Sequence, residues 1–455
     1  MKKIFAEVLA KVTPTEKERE KEKKTAEQIM AKIKKAKGKH LGVTLAGSIA
    51  RNTHLRDDRD IDIFVLFPAK MPRAEFEKEG LAIGRKAFKG HKWWLEYSEH
   101  PYTRGIVNGF EIEIVPSYNV KKASQLKSAV DRSPFHNRYL LKHLKPELCA
   151  EVRLLKAFLK GIDCYGAKIE KEGFSGYLAE LLILKFGSLQ KTLVEASNWK
   201  PGIALAIGEE VDSKKAKQFN APLVFLDPTD KNRNVAAALS IEQFARFVAA
   251  SRAFLEKPDR KFFYPSKPKP ISKQRMKKLI GIDQMFALRM PFPKNALSDV
   301  IWGQMRKFKK HLHNGFALYG FLPRRVELFA EEGKSMDFFV ELESIELNPT
   351  IIFTGPPAWD EPHSKAFLAK HSRPLTGPRI ENGRWIVEEP RKYVNAMALA
   401  KVFLQERKKL EKEPFRKALS KAKFLEKSEF LAIAKKDEFF KYGLSRFLEG
   451  KEIFL

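Results

Sequence analysis

Cysteine is nearly absent: Cys149 and Cys164 are the two in the chain. Two thiols cannot build a disulfide framework or a cysteine-rich zinc module. Long apolar runs are missing as well. None reaches the roughly 18 residues that mark a membrane-spanning helix. The N-terminal stretch "MKKIFAEVLAKVTPTEKERE" has an apolar patch, but acidic residues interrupt it. It shows neither the h-region nor the small-residue cleavage site of a signal peptide. The expectation is a cytoplasmic chain with no membrane partner. Acidic residues are in short supply too, with 56 Asp and Glu against 86 Lys and Arg and a formal net charge of +30. Such an excess bears on partners rather than on fold. A polyanion fits, because each neutralised phosphate releases condensed counterions. A well-solvated lysine surface would give the same composition, and composition leaves both open. No internal repeat is present.

What the chain does have is apolar material: 44% of 455 residues, enough for real cores and about three domains. Thr13-Pro14 reads as an N-cap and first helical residue, followed by a long Lys/Glu helix with i,i+4 pairs on a solvated face. Strands are predicted over 40–48 and 60–68, a helix over 74–90, and two strands around an Asn108-Gly109 turn in 92–120. From about residue 134 the pattern is helical, with segments 146–161 and 173–197 each reading as one helix. Residues 222–239 read as a short strand, a polar loop and a helix start. The Pro- and Lys-rich stretch 257–278 is the best boundary, and helix and strand patterns return beyond it.

The stretch "GSIARNTHLRDDRDIDIFVLF", residues 47–67, carries the chemistry. Side chains alternate along a strand, so Asp60 and Asp62 share one face, about 6.6 Å apart, while Ile61, Ile63 and Val65 face a core. Two bare carboxylates side by side repel and raise a pKa. Bound magnesium removes that penalty, and a third carboxylate on a neighbouring strand would let two ions sit together. "FEIEIVP" offers Glu111 and Glu113 in the same alternation. The plain alternative is the solvated face of an edge strand. Gly47-Ser48 suits a phosphate, since a glycine lets backbone approach an anion and a helix start presents free N–H groups. Ser48 adds a hydroxyl and Arg51 a charge.

Gly-Ser, a spacer of about ten residues, Asp-x-Asp and then an acidic strand is the signature of the nucleotidyltransferase superfamily. The likeness extends through "EHPYTRGIVNGFEIEIVPSY", "AVDRSPFHNRYL", "EVRLLKAFLK", "YGAKIEKEGFSGYLAELLI", "DPTDKNRNVAAALS" and "GPP". Together these segments resemble archaeal CCA-adding enzymes, the class I tRNA nucleotidyltransferases, over nearly the whole chain and most densely from 41 to about 255.

The resemblance implies an α+β multidomain fold. A nucleotidyltransferase sheet of the polymerase beta-like kind would occupy 1–135. A helical central domain for nucleotide and base recognition would occupy 136–258, and an α+β C-terminal body and tail for tRNA binding 259–455. It implies template-independent addition of C, C and A to the 3′ end of tRNA from CTP and ATP, with release of pyrophosphate. Asp60, Asp62 and Glu113 match the catalytic carboxylates that hold a two-ion Mg²⁺ site. Ser48 and Arg51 match triphosphate contacts, and His136, Lys156 and Tyr165 match central-domain positions that reach the same triphosphate. Arg233, in "NRNVA", matches the arginine that reads the edge of the incoming base. The family's third carboxylate is usually Asp, and Glu113 departs from it. The partners implied are nucleoside triphosphates and the acceptor stem and elbow of tRNA. A homodimer is one arrangement open to the chain, though nothing in the sequence marks an interface.

Read without the family, His136 would be a structural residue near a helix start, Lys156 a snorkelling lysine and Tyr165 a packing residue in a turn. Arg233 stands better alone, because its planar fork pairs with base acceptors. C and A share an exocyclic amine beside an unprotonated ring nitrogen, so a site that also accepts from that amine admits both and rejects U and G. Arginine cannot accept, so a tRNA phosphate or another acceptor must. His100 reads as structural, and Asp227 and Asp230 as loop-shaping. The rival readings are a poly(A) polymerase or oligoadenylate synthetase-like enzyme, an inactive RNA-binding relative, and a small-molecule nucleotidyltransferase.

Overall fold

The structure is a computed structural model. It describes the chain apart from Arg59, Lys121, Ala123, Ser124, residues 265–269, Asp283, Asn295 and the side chain of Ile282, so part of the expected boundary stretch lies outside the described residues. Two compact units form: Met1–Lys267 with Glu452–Leu455, and Pro268–Lys451.

The first unit opens with α1 (Lys2–Val12) and α2 (Glu16–Lys35). The cap of α2 is Thr15, not Thr13. Thr13 instead terminates α1, a helix that the sequence did not suggest. The Thr15 hydroxyl accepts from Glu18 N at 3.3 Å, and the Glu18 carboxylate accepts from Thr15 N at 2.8 Å. There follow β1 (Gly42–Ala46), α3 (Gly47–Ala50), β2 (Asp60–Pro68), α4 (Arg73–Ala87), β3 (Lys92–Tyr97), β4 (Pro101–Val107) and β5 (Phe110–Asn119). Three strands therefore occupy 92–120 where the sequence suggests two. β3 is an edge strand with no fully buried residue, so no apolar alternation marks where it ends.

These five strands make one sheet in the order β1-β2-β5-β4-β3. β2 and β5 run parallel, and every other pair is antiparallel. Ile61, Ile63, Val65, Ile112 and Ile114 pack from one face against Ile29 and Ile33 of α2 and Phe76 and Ile83 of α4. Burying that face leaves the acidic residues of β2 and β5 on the other.

The rest of the unit comprises α5 (Ser133–His143), α6 (Leu148–Gly161), α7 (Gly176–Phe186), α8 (Leu189–Ala196), β6 (Ile203–Leu205), α9 (Ser213–Gln218), β7 (Leu223–Asp227), β8 (Asp230–Asn234) and α10 (Ile241–Glu256). The single helix expected over 173–197 is broken in two. Gly187 ends α7 in a left-handed conformation, φ 83°, and the Ser188 hydroxyl caps α8 by accepting from Lys191 N at 3.2 Å. Leu155, Phe158, Leu182, Phe247 and Phe254 centre a largely helical core. The polar run after β7 forms a hairpin rather than a loop into a helix. Asp227 closes its turn, accepting from Thr229 N at 2.9 Å and Thr229 Oγ1 at 2.7 Å. Asn234 Oδ1 then accepts from Phe225 N at 2.9 Å, so Arg233 lies on a strand.

The second unit holds a sheet β10-β11-β9-β15 and a sheet β12-β14-β13. Their strands are β9 (Gln284–Pro291), β10 (Pro323–Glu331), β11 (Ser335–Leu342), β12 (Thr350–Pro357), β13 (Thr376–Glu381), β14 (Arg384–Pro390) and β15 (Lys423–Glu426). Met305, Phe308 and Leu312 of the helix Ser298–Leu318 pack with Phe403 of the helix Ala396–Leu410 over Leu288 and Phe338. Among the described residues no helix is long and apolar enough to cross a membrane.

Candidate active site

The parallel register of β2 and β5 sets Asp60 opposite Glu111 and Asp62 opposite Glu113. Asp62 and Glu113 line one cavity of about 420 Å³, together with Gly47, Arg51, Tyr102 and His136. Burial, then the Asp60 charge, pushes the Asp62 carboxyl up to about 6. Burial, then the Asp62 charge, pushes the Glu113 carboxyl up to about 7. Desolvated carboxylates that repel each other are ready for a cation. Gly47 lies hard against Asp62. It has φ +71°, and a Cβ there would fall 1.8 Å from Asp62 Oδ2. Asp60 is more exposed, with 59% of its side chain open, and it pairs with Arg104.

The donor set fits a hard divalent cation, which takes carboxylate oxygens and completes its shell with substrate phosphate. Among the described residues, however, no three acidic, histidine or cysteine side chains already converge into a metal-holding group. Arg104 lies among the carboxylates, 3.3 Å from Glu113 and 3.4 Å from Asp60, and also bonds Glu111.

Arg51 reaches the cavity from the turn after α3, at the end of a buried network. Its Nε and Nη2 donate to the two oxygens of Glu180 on α7 at 3.1 and 2.9 Å, and its Nη1 donates to Asn137 Oδ1 at 2.9 Å. Glu180 also accepts from the Thr53 hydroxyl. Lys156 is fully buried, donates to Thr53 O at 3.0 Å and stands 3.7 Å from Glu180. Burial would raise the Glu180 carboxyl, but the Arg51 and Lys156 charges together with the hydrogen bonds from Arg51 and Thr53 outweigh it, and the net shift is downward. Burial lowers the Lys156 ammonium.

A second network centres on Asp227, which is fully buried at the end of β7. Its Oδ2 meets His136 Nε2 at 2.8 Å and accepts from Arg233 Nη1 at 2.9 Å. Tyr177 OH donates to Oδ1 at 3.3 Å, and the Tyr177 ring stacks on His136 at 3.9 Å. The loop-shaping residue of the sequence reading is thus also the anchor of His136 and Arg233.

Of the residues singled out from sequence, Arg51, Asp62, Glu113 and His136 line the cavity, and Arg233 joins it through Asp227. Ser48 follows the lining residue Gly47. Lys156 and Tyr165 do not line it. Both side chains lie against the start of α7, where a Cβ on Gly176 would come 3.0 Å from Tyr165 Oη and 3.7 Å from Lys156 Nζ. Sequence reasoning missed Glu180, Asn137, Tyr177 and Arg104. A glutamate inside the apolar run "YLAELLI" was the one available signal. His100 is structural as expected, buried with its ring 5.1 Å from Phe76.

A sheet that sets an Asp-x-Asp strand parallel to an acidic neighbour, with Gly-Ser at its rim, defines a nucleotidyltransferase. Residues 26–136 match the nucleotidyltransferase domain model. Residues 150–264 match the second domain of tRNA nucleotidyltransferase, and 283–429 the C-terminal domain of CCA-adding enzyme. The chain is 37% identical to the CCA-adding enzyme of Methanocaldococcus jannaschii, covering 82% of this chain and 85% of that one. It is 36% identical to that of Methanosarcina mazei, covering 86% and 87%. The chain belongs to the family of archaeal CCA-adding enzymes and is a tRNA nucleotidyltransferase. Among solved structures, an RNA terminal U-transferase is similar at 16% identity and a TM-score of 0.45, covering 58% of this chain and 98% of that one.

Proposed function

We propose that this protein joins C, C and A to the 3′ end of tRNA from CTP and ATP, without a nucleic-acid template, in the cavity lined by Arg51, Asp62, Glu113 and His136. The observation that carries the reading is the β2–β5 register, which sets Asp62 beside Glu113 on the open face of the sheet. Within the first unit we assign 1–135 to catalysis and 136–258 to recognition of the nucleotide, and we assign 259–455 to tRNA.

Asp60, Asp62 and Glu113 would hold a two-ion Mg²⁺ site, which supplies charge to the triphosphate and acidity to the attacking hydroxyl. The tRNA 3′-oxygen bonds to the α-phosphorus as the bond to pyrophosphate breaks, so no side-chain nucleophile is needed. Arg51, held rigid by Glu180 and Asn137, presents its charge to the triphosphate, with Ser48 beside Gly47. His136 contacts the same phosphates from the cavity wall, while Lys156, outside the lining, steadies the Glu180 carboxylate that holds Arg51, and Tyr165 packs beside it at the start of α7. Arg233, anchored on Asp227, reads the base edge while a tRNA phosphate accepts from the exocyclic amine.

The acceptor stem of tRNA is an A-form duplex, recognised by shape and phosphate. In the second unit, a cavity of about 640 Å³ is lined by Lys334, Lys421, Lys423, Lys436 and Arg289 against Glu331, Asp437 and Glu438, a net basic lining that supports that role.

The deciding assay uses tRNA that ends at the discriminator base, with CTP and ATP given separately and together. The expected product is CCA and no longer. Asp62→Ala is expected to abolish incorporation while tRNA binding persists. Extension by A alone without a stop would indicate a poly(A) polymerase instead, and full activity in Asp62→Ala would remove the carboxylates from the mechanism.

A further inference from the structure

Arg104 stands in β4 directly opposite Glu113 of β5. Opposed residues of an antiparallel pair project from the same face with Cβ atoms about 5 Å apart. Four carboxylates crowd that face, from Asp60, Asp62, Glu111 and Glu113. The guanidinium engages three of them: Nη1 is 3.3 Å from Glu113 and Nη2 is 3.4 Å from Asp60, while Nη2 also bonds Glu111. Its Nε is buried with no hydrogen-bond partner, so the end of the fork alone holds it. Two of the three carboxylates it engages, Asp60 and Glu113, are among those assigned above to a divalent cation. The third, Glu111, is not.

We propose that Arg104 is a displaceable counter-ion of the metal site, bridging Asp60 and Glu113 in the cation-free protein and withdrawing onto Glu111 when a divalent cation takes them. The inference rests on the metal assignment made under the proposed function. Guanidinium and metal compete for the same carboxylate oxygens, so the arginine lowers affinity for a free cation. Glu111 keeps the displaced guanidinium paired, which spares the penalty of stranding a half-buried charge. A free ion must break both bridges unaided. An ion that arrives on a nucleoside triphosphate brings further ligands with it, so the arrangement favours loading cation and nucleotide together. Arg104 is a positioning residue, acting on the carboxylates and not on the substrate.

The test is Mn²⁺ binding to the full chain without nucleotide, followed by loss of the free-ion paramagnetic resonance signal. Arg104→Gln should bind Mn²⁺ tighter by roughly 2- to 30-fold, the range set by two partly exposed ion pairs. Arg104→Lys, which keeps the charge without the fork, should fall between it and the wild type. Glu111→Gln should weaken binding, and that weakening should shrink on the Arg104→Gln background, where no arginine needs a resting place. Simple loss of a negative charge would weaken both backgrounds equally and would overturn the role given to Glu111. Wild-type Mn²⁺ binding that Arg104→Gln and Arg104→Lys leave unchanged or weaken overturns the displacement while sparing the metal site. No Mn²⁺ uptake by any of these proteins overturns both.

Discussion

Glu180 is fully buried and holds two cations. Its carboxylate receives the Arg51 fork at 2.9 and 3.1 Å, and the Lys156 ammonium lies 3.7 Å away. Removing one partner of a buried pair leaves the other uncompensated, at a cost of about 3–5 kcal/mol. Glu180→Gln keeps the shape and deletes the charge. It should therefore lose stability on that scale in chemical denaturation. With Arg51 no longer clamped, KM for both CTP and ATP should rise about tenfold or more in steady-state kinetics. Unchanged KM values would mean that Arg51 needs no such anchor. The residue types of the site were largely legible in the chain. Their partners were not: Glu180 lies 129 positions from Arg51, and Asp227 lies 91 from His136. No local pattern links them.

At the scale of elements, the meeting of β1, α3 and β2 explains why glycine precedes Ser48. Position 47 needs a positive φ, and a side chain there would strike Asp62. Gly47→Ala should push the Asp62 carboxylate aside. Misplacing a catalytic group by about 1 Å costs on the order of 100-fold, so kcat should fall by about that factor. The far-ultraviolet circular dichroism should stay native, because the strand itself does not depend on residue 47. A variant with normal kcat would show that the close approach is incidental. Strand β2 was legible to the residue because alternation is a local property of extended backbone. The helix pair α7–α8 and the β7–β8 hairpin were not. Gly187 is tolerated inside an apolar run, and the turn at Asp227 depends on side-chain bonds to Thr229 that composition does not announce.

For the molecule as a whole, the charge of +30 sets the expected response to salt. Each phosphate contact with duplex nucleic acid contributes a slope of about −0.9 in log affinity against log salt. Filter binding of tRNA between about 50 and 200 mM salt should give a slope reporting several contacts. A slope near zero would mean that the lysine excess is merely solvated surface.

By itself the sequence determined which face of β2 carries acid and which carries core, the sign of the chain's own net charge, and the family likeness borne by Gly-Ser and Asp-x-Asp. Strand periodicity and net charge are written along the chain and need no folding to be read. Only the tertiary structure decided that Glu180 anchors Arg51, that Asp227 ties His136 to Arg233, and that Arg104 lies among the carboxylates. A buried charge takes its partner from whatever packing brings beside it, and packing joins segments that lie far apart in the chain.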